Sequence, residues 1–160
     1  MRKLALLALF GAVSFAAAGA TVPRCRSLEV VGVQVSKKPA TVPSFSARKA
    51  VDVTLRLTTE TRMTGRHLLE WRLLTPSGNL YQSLVTPVGD TPGTREVPGY
   101  PDPLEVAIPA PAELKRWKLE KPFPIGGTMI VTGGLYGEWR LEAILDGAPY
   151  CGTTRFRIEP

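Results

Sequence analysis

One short segment of the sequence combines positive charge with an aromatic ring. It contains four cations and a tryptophan: Lys115, Arg116, Trp117, Lys118 and Lys121. Cationic side chains bind anionic groups, while an aromatic face stacks on a sugar or a base. The segment is therefore the candidate site for an anionic polymer: a polysaccharide, a lipid headgroup surface or a nucleic acid. In the competing interpretation, Trp117 packs into the core and the cations are solvated.

The sequence contains one histidine, His67, which limits the catalytic and metal chemistry that it supports. A metal site with two histidine ligands is excluded, and no Gly-x-Ser-x-Gly motif indicates a serine nucleophile. His67 lies at the start of a predicted strand, so we expect a solvated side chain rather than a catalytic base. We predict no catalytic residue, no metal ion and no cofactor.

Carboxylates are the remaining candidates for catalysis. Asp90, Asp102 and Glu105 lie in or beside a long loop, a usual place for a catalytic site. Two carboxylates suffice for glycoside hydrolysis when they flank the scissile bond. Since the spacing of these three does not distinguish them from solubilising charges, a small carboxylate-dependent hydrolase is only an alternative prediction.

The two cysteines of the chain, Cys25 and Cys151, are far apart in the sequence. In an oxidising compartment an isolated pair of cysteines is more often a structural disulfide than two reactive thiols. We therefore predict a Cys25–Cys151 bond that holds the N-terminal segment beside the last strand.

The first twenty residues have the pattern of a secretory signal peptide. A basic start is followed by an apolar run, and small residues end at Ala20. The run is shorter than a membrane span requires, so we expect cleavage and no stable membrane span after processing. Loss of Arg2 and Lys3 lowers the formal net charge from +6 to +4. The prediction is a secreted or periplasmic protein with a single domain over residues 21–160.

Alternating apolar and polar residues predict the first strands. The alternation is unbroken over residues 51–58, which is typical of a strand with one buried face. Residues 28–35 are similar, but a shift in phase predicts a bulge at Gly32. Residues 37–46 are predicted to be a connection.

Two hairpins follow from paired strand patterns with turn residues between them. The first joins residues 67–74 to residues 80–85 through a turn in which Gly78 takes the left-handed conformation. The second joins residues 139–145 to residues 150–158 through an Asp-Gly pair, a strong hairpin turn signal.

Residues 89–127 hold eight of the 15 prolines and are predicted to be mostly loop. Residues 104–108 fit a short edge strand, and residues 113–119 fit either helical turns or an edge strand. Short strands separated by turns, with no long amphipathic helix, predict an all-β antiparallel β-sandwich. Trp71 and Trp139 are in phase with apolar neighbours and are predicted core residues.

The last 35 residues or so resemble the closing strands of immunoglobulin-like domains in exported bacterial proteins. The resemblance rests on residues 126–130, on residues 135–141 with their Gly-x-Trp pattern, and on the Asp-Gly turn that follows. It implies an immunoglobulin-like sandwich. Antibody-type domains join two central strands by a disulfide, whereas the cysteines here lie near the ends of the chain.

The sequence is therefore compatible with three functions. The leading prediction is a non-catalytic exported module that binds another envelope or extracellular protein, although a fold alone does not determine function. The first alternative is a binder of an anionic polymer through the segment around Trp117. The second is the carboxylate-dependent hydrolase.

Overall fold

The computed structural model describes residues 22–33, 42–109, 111–113 and 116–160, and for residues 111–113 the backbone alone. The predicted signal peptide lies outside these ranges. Within them the chain forms short strands and one helical turn: β1 (Cys25–Val31), β2 (Ser44–Ser46), β3 (Asp52–Thr59), β4 (Arg66–Leu74), β5 (Leu80–Gly89), β6 (Thr94–Arg95), β7 (Leu104–Glu105), β8 (Pro111–Glu113), β9 (Arg116–Pro124), α1 (Met129–Thr132), β10 (Gly137–Leu145), β11 (Ala148–Pro149) and β12 (Thr154–Glu159).

The strands form two main sheets. The first sheet has the order β1-β3-β9-β8, and all its neighbouring strands are antiparallel. The second sheet has the order β2-β12-β10-β4-β5, and β11 also pairs with β10. The pair of β2 with β12 is parallel, while the other strand pairs of this sheet are antiparallel. The predicted all-β fold is confirmed, with one parallel pair in place of a fully antiparallel arrangement.

A shared hydrophobic core lies between the two sheets, because alternate residues of each strand face inward. Trp71 on β4 and Trp139 on β10 are at most 1% exposed, so the prediction that both are core residues is confirmed. The Trp139 ring lies 5.1 Å from that of Tyr81 and 6.1 Å from that of Phe123, measured between ring centroids. These aromatic contacts join β5 and β10 of the second sheet to β9 of the first.

The prediction that residues 89–127 are mostly loop is wrong for its last part. Residues 116–124 form β9, an interior strand that pairs with β3 along its length. Pro122 and Pro124 obscured this strand, because proline has no N–H to donate to a sheet. Both prolines are exposed and lie beyond the part of β9 that pairs with β8, so their missing N–H groups are tolerated there.

Two smaller predictions also need correction. Residues 44–46, predicted as part of a connection, form the parallel strand β2, whose Phe45 is fully buried. The bulge of β1 lies at Arg26 rather than at Gly32, because Cys25 and Ser27 pair with adjacent residues of β3. The strand β2 could not be predicted, because its three residues include only one large apolar side chain and are too few to show a periodic pattern.

The Pro-rich segment of residues 90–109 returns to the free edge of β5. Its two short strands, β6 and β7, pair with each other, and Ala107 forms a parallel bridge with Val88. Val97 and Val106 of this segment are buried. The segment therefore covers part of an otherwise open sheet edge, which is a usual protection against edge-to-edge pairing.

The predicted disulfide is confirmed: Cys25 and Cys151 are bonded, with their Cα atoms 5.6 Å apart. Residues 150–153 separate β11 from β12, so the predicted return strand over residues 150–158 is interrupted. Such a bond is compatible with an oxidising, secreted or periplasmic location. In the described ranges, no helix has both the length and the apolar character needed to span a membrane.

Candidate anion-binding surface

The alternation of β9 divides the predicted ligand segment. Trp117 points into the core and is 2% exposed, and its backbone N–H donates to the Thr59 hydroxyl at 3.2 Å. Its ring is therefore not a stacking platform, and the structure supports the interpretation that it packs in the core. Lys121 is four residues from Trp117 and shares its side of the strand, whereas Arg116 and Lys118 lie on the other side. Lys115 lies outside the described residues.

Lys118, an outward cation of β9, takes part in a local charge pair. Lys118 lies 3.4 Å from the Glu120 carboxylate, which also accepts a 2.7 Å hydrogen bond from Arg56. The Arg56 hydrogen bond is the main reason why the pKa of Glu120 lies below its ordinary value, against the opposing effect of burial. The described part of the segment therefore does not form a continuous basic and aromatic surface.

The expectation of a solvated His67 is wrong, since its side chain is 2% exposed. Its Nδ1 lies 2.6 Å from Asp146 Oδ2, and its Nε2 lies 3.0 Å from the Thr64 carbonyl oxygen. Both partners are acceptors, so both hydrogen bonds form together only when both ring nitrogens carry protons. With neither nitrogen facing solvent, the ring acts as a structural tie between the start of β4 and the end of β10.

Asp146 connects three elements at one end of the second sheet. It begins the two-residue turn between β10 and β11, with φ of 49°. Its Oδ1 accepts from the Leu68 N–H at 2.9 Å and lies 3.3 Å from Arg95 of β6. Burial alone would raise the pKa of Asp146, but the His67 and Leu68 hydrogen bonds and the nearby Arg95 charge together lower it. The carboxylate thus ties the Pro-rich segment to the sheet.

The three carboxylates considered for hydrolysis have separate environments. Asp90 Oδ1 accepts from the Gly65 N–H at 2.7 Å and caps the turn before β4. Asp102 lies in an exposed loop, and Glu105 belongs to β7. Over the described ranges, no group of three or more His, Cys, Asp or Glu side chains is placed to hold a metal ion.

A different group of cations comes together on the outer face of the second sheet. Arg140 of β10 lies directly opposite Arg155 of β12, and Glu138 lies opposite Arg157. Each of these residues alternates with buried core residues of its strand, so all four lie on the face away from the core. We call Arg140, Arg155 and Arg157 the arginine surface.

One ion pair is recorded for the arginine surface in the described ranges. Arg155 is 62% exposed and makes a 3.0 Å ion pair with Glu138. Among the residues that the structure describes, Arg140 has no acidic partner. Like charges directly opposite each other on neighbouring strands destabilise a sheet, so the arrangement has an electrostatic cost in the unliganded protein.

The alternation of the last strand is enough to place Arg155 and Arg157 on its outer side, but it does not align them with Arg140. The turn pairs Leu145 with Ala148, and a direct extension of that register would place Arg140 opposite Thr153. Two additional residues within the 150–153 break shift the register and bring Arg155 opposite Arg140 instead. The alternation of apolar and polar residues does not predict a register that is set by an irregular segment.

A polar pocket of about 290 Å³ lies beside the arginine surface. It is lined by Arg140, Arg155 and Glu138 and by residues 76–78 of the β4–β5 turn. The predicted left-handed Gly78 is confirmed, with φ of 87°, and a Cβ at this position would lie 3.0 Å from an Arg140 guanidinium nitrogen. The guanidinium thus approaches the turn closely. A larger groove of about 660 Å³ beside β1 shares Arg155 with this pocket.

Comparisons with known proteins do not assign the chain to a family. No family model matches the sequence, and no curated protein matches it. Among solved structures, the chain matches the Pseudomonas fluorescens alkylpurine DNA glycosylase AlkC bound to DNA containing an abasic site analog. The TM-score is 0.45 at 10% identity, over 86% of this chain and 30% of that one.

The function named by this match is enzymatic and conflicts with the leading prediction from the sequence. The prediction of a non-catalytic module that acts by binding another protein is therefore withdrawn. At 10% identity over 30% of the other chain, the glycosylase function is not transferred to this chain.

Proposed function

We propose that this protein binds an anionic polymer through the arginine surface, in an oxidising compartment outside the cytoplasm. The observation that carries the proposal is the direct opposition of Arg140 and Arg155 beside a polar pocket. An anionic group between the two guanidinium groups would relieve their repulsion and form charge-assisted hydrogen bonds. The predicted signal peptide and the resemblance to immunoglobulin-like domains stay predictions within this proposal.

The expected mode of recognition is electrostatic rather than aromatic. Trp71, Trp117 and Trp139 are buried, and Tyr100, at 43%, is the one exposed aromatic residue in the described ranges. Tyr100 belongs to the Pro-rich segment and does not line the pocket. Binding of single-stranded nucleic acid usually uses stacked bases, so this surface favours a polymer recognised through its charged groups, such as an acidic polysaccharide.

The test measures binding of a sulfated and a carboxylated polysaccharide, heparin and polygalacturonate, by fluorescence anisotropy over a range of salt concentrations. The variant is R140Q/R155Q/R157Q. The matched control is R24Q/R26Q/R62Q, which removes the same charge at exposed arginines elsewhere. We expect the first variant to lose at least about tenfold in affinity and to show a shallower salt dependence, because fewer counterions are released.

The control variant should stay within about threefold of the wild type if the arginine surface is the site. Equal losses in both variants would show that net charge, rather than this surface, drives binding. Absence of wild-type binding to both polymers at low salt would overturn the proposed function.

A further inference from the structure

The pocket between Arg140, Arg155 and the β4–β5 turn has the features of a discrete subsite. Its turn wall is fixed by internal hydrogen bonds: the Gly78 N–H donates to the Thr75 carbonyl at 2.9 Å, and the Ser77 and Thr75 hydroxyls are 2.8 Å apart. The Asn79 side-chain amide donates to the Ser77 hydroxyl at 3.2 Å. A wall held in this way loses little conformational freedom when a ligand binds.

The two guanidinium groups supply the recognition chemistry. Directly opposed residues on antiparallel strands have Cβ atoms about 5 Å apart, which leaves their side chains free to converge on one group. The planar fork of arginine matches the spacing of two oxygens of a carboxylate, sulfate or phosphate. An oxyanion between Arg140 and Arg155 would receive donors from both strands.

The charge of the pocket restricts which oxyanion fits. Arg140 and Arg155 line it together with Glu138, whose carboxylate lies 3.0 Å from Arg155. The three side chains therefore have a formal charge of +1. A monoanion neutralises this charge, whereas a dianion leaves the pocket with a net charge of −1 beside the Glu138 carboxylate and loses more hydration on entry.

We propose that this pocket binds monoanionic oxyanion groups, namely carboxylates, sulfate esters or phosphodiesters, and that Glu138 disfavours dianionic phosphate monoesters. The inference rests on the proposed function, because it identifies the group of the polymer that enters the pocket. Arg157 lies outside the pocket, where its positive charge attracts the neighbouring part of the polymer.

The experiment uses small probes rather than the polymer. Backbone amide shifts are followed by NMR during titration with acetate, methyl sulfate and dimethyl phosphate as monoanions. Methyl phosphate at a pH where it is dianionic is the comparison. We expect saturable shifts at Ser77 and Gly78 with the monoanions and weaker binding of methyl phosphate. The relative affinities of the three monoanions identify the preferred group.

Two variants test the assigned roles. R140K keeps the charge but removes the planar fork, so we expect it to weaken monoanion binding about tenfold while leaving the salt dependence of polymer binding unchanged. E138Q should raise the affinity for methyl phosphate by about tenfold and remove the preference for monoanions. R24K is the control for a conservative change at an exposed arginine that does not line the pocket.

The outcomes separate this inference from the proposed function. No saturable shift near the turn, or a wild-type preference for the dianion, would overturn the subsite even if the polymer binds through the arginine surface. Saturable monoanion binding lost in R140K, without polymer binding, would support the subsite and reject the proposed function. An unchanged preference in a folded E138Q protein would reject the role of Glu138.

Discussion

Replacement of Asp146 by Asn should lower the free energy of unfolding at pH 7 by about 1 kcal/mol, because a neutral amide oxygen is a weaker hydrogen-bond acceptor for the buried His67 ring than a carboxylate. Asn retains an oxygen for the Leu68 N–H, and it tolerates the positive φ of this position better than most residues do. The variant therefore removes charge without adding backbone strain.

The magnitude follows from the hydrogen bond that the substitution weakens. Hydrogen bonds to charged groups contribute roughly 1.5–3 kcal/mol against roughly 0.5–1.5 kcal/mol for neutral ones, so loss of the charge beside a 2% exposed imidazole accounts for most of the change. The Arg95–Asp146 pair adds little, because its side chains are 32% and 38% exposed and solvent screens their attraction.

The pH dependence gives a second test of the same tie. The pKa of Asp146 is lowered in the folded protein, so its contribution is present above the unfolded Asp pKa of about 3.9 and is lost as pH falls through the folded value. The difference between wild type and D146N should therefore shrink from pH 7 to pH 3.

Urea unfolding at both pH values measures the difference, with D102N as a control for the same change at an exposed loop carboxylate. A loss below about 0.5 kcal/mol at pH 7, or a difference of the same size at pH 3, would refute the assignment of Asp146 as a charged tie.

Three further predictions concern the framework of the fold. Removal of the disulfide in a C25A/C151A variant should destabilise the protein by up to about 4–5 kcal/mol in the chain-entropy model; a melting temperature equal to that of the oxidised wild type would contradict this. Trp71→Ala and Trp139→Ala should each cost about 3–5 kcal/mol in denaturant unfolding, whereas a loss under about 1 kcal/mol would be incompatible with their burial. Burial, assisted by the Glu60 charge, raises the pKa of Tyr150 to about 12, so stability should fall as pH rises above about 10; this loss should be smaller in Y150F, and the absorbance change near pH 12 in the wild type should be reduced in that variant.

The sequence was most informative where a strand is long and alternates without interruption. Val53, Leu55 and Leu57 of β3 face the core between the sheets. Trp139 and Leu141 of β10 face the same core, so both strands could be predicted from periodicity. The Asp-Gly turn and the disulfide were predicted because each has a local or compositional signature.

The site could not be predicted in the same way, because it depends on pairing between strands. The sequence favoured residues 115–121 as a ligand segment because they are adjacent in the chain, but adjacent residues of a strand face opposite sides. Arg140 and Arg155 are fifteen positions apart and meet only through the register shift at residues 150–153. The contact of His67 with Asp146 could not be predicted either, because the two residues are 79 positions apart in the sequence.

The disulfide also determines how the fold would respond to mechanical tension. Force applied to the chain outside the two cysteines passes through the sulfur bridge, so the 126-residue interval between them, roughly 400 Å of extended chain, is shielded from stretching. β12 lies outside that interval, and it contains two of the three arginines of the arginine surface. Tension on the C-terminal side would therefore peel away β12 before the bridged core is loaded, and would separate Arg155 and Arg157 from Arg140 while most of the strands stay folded.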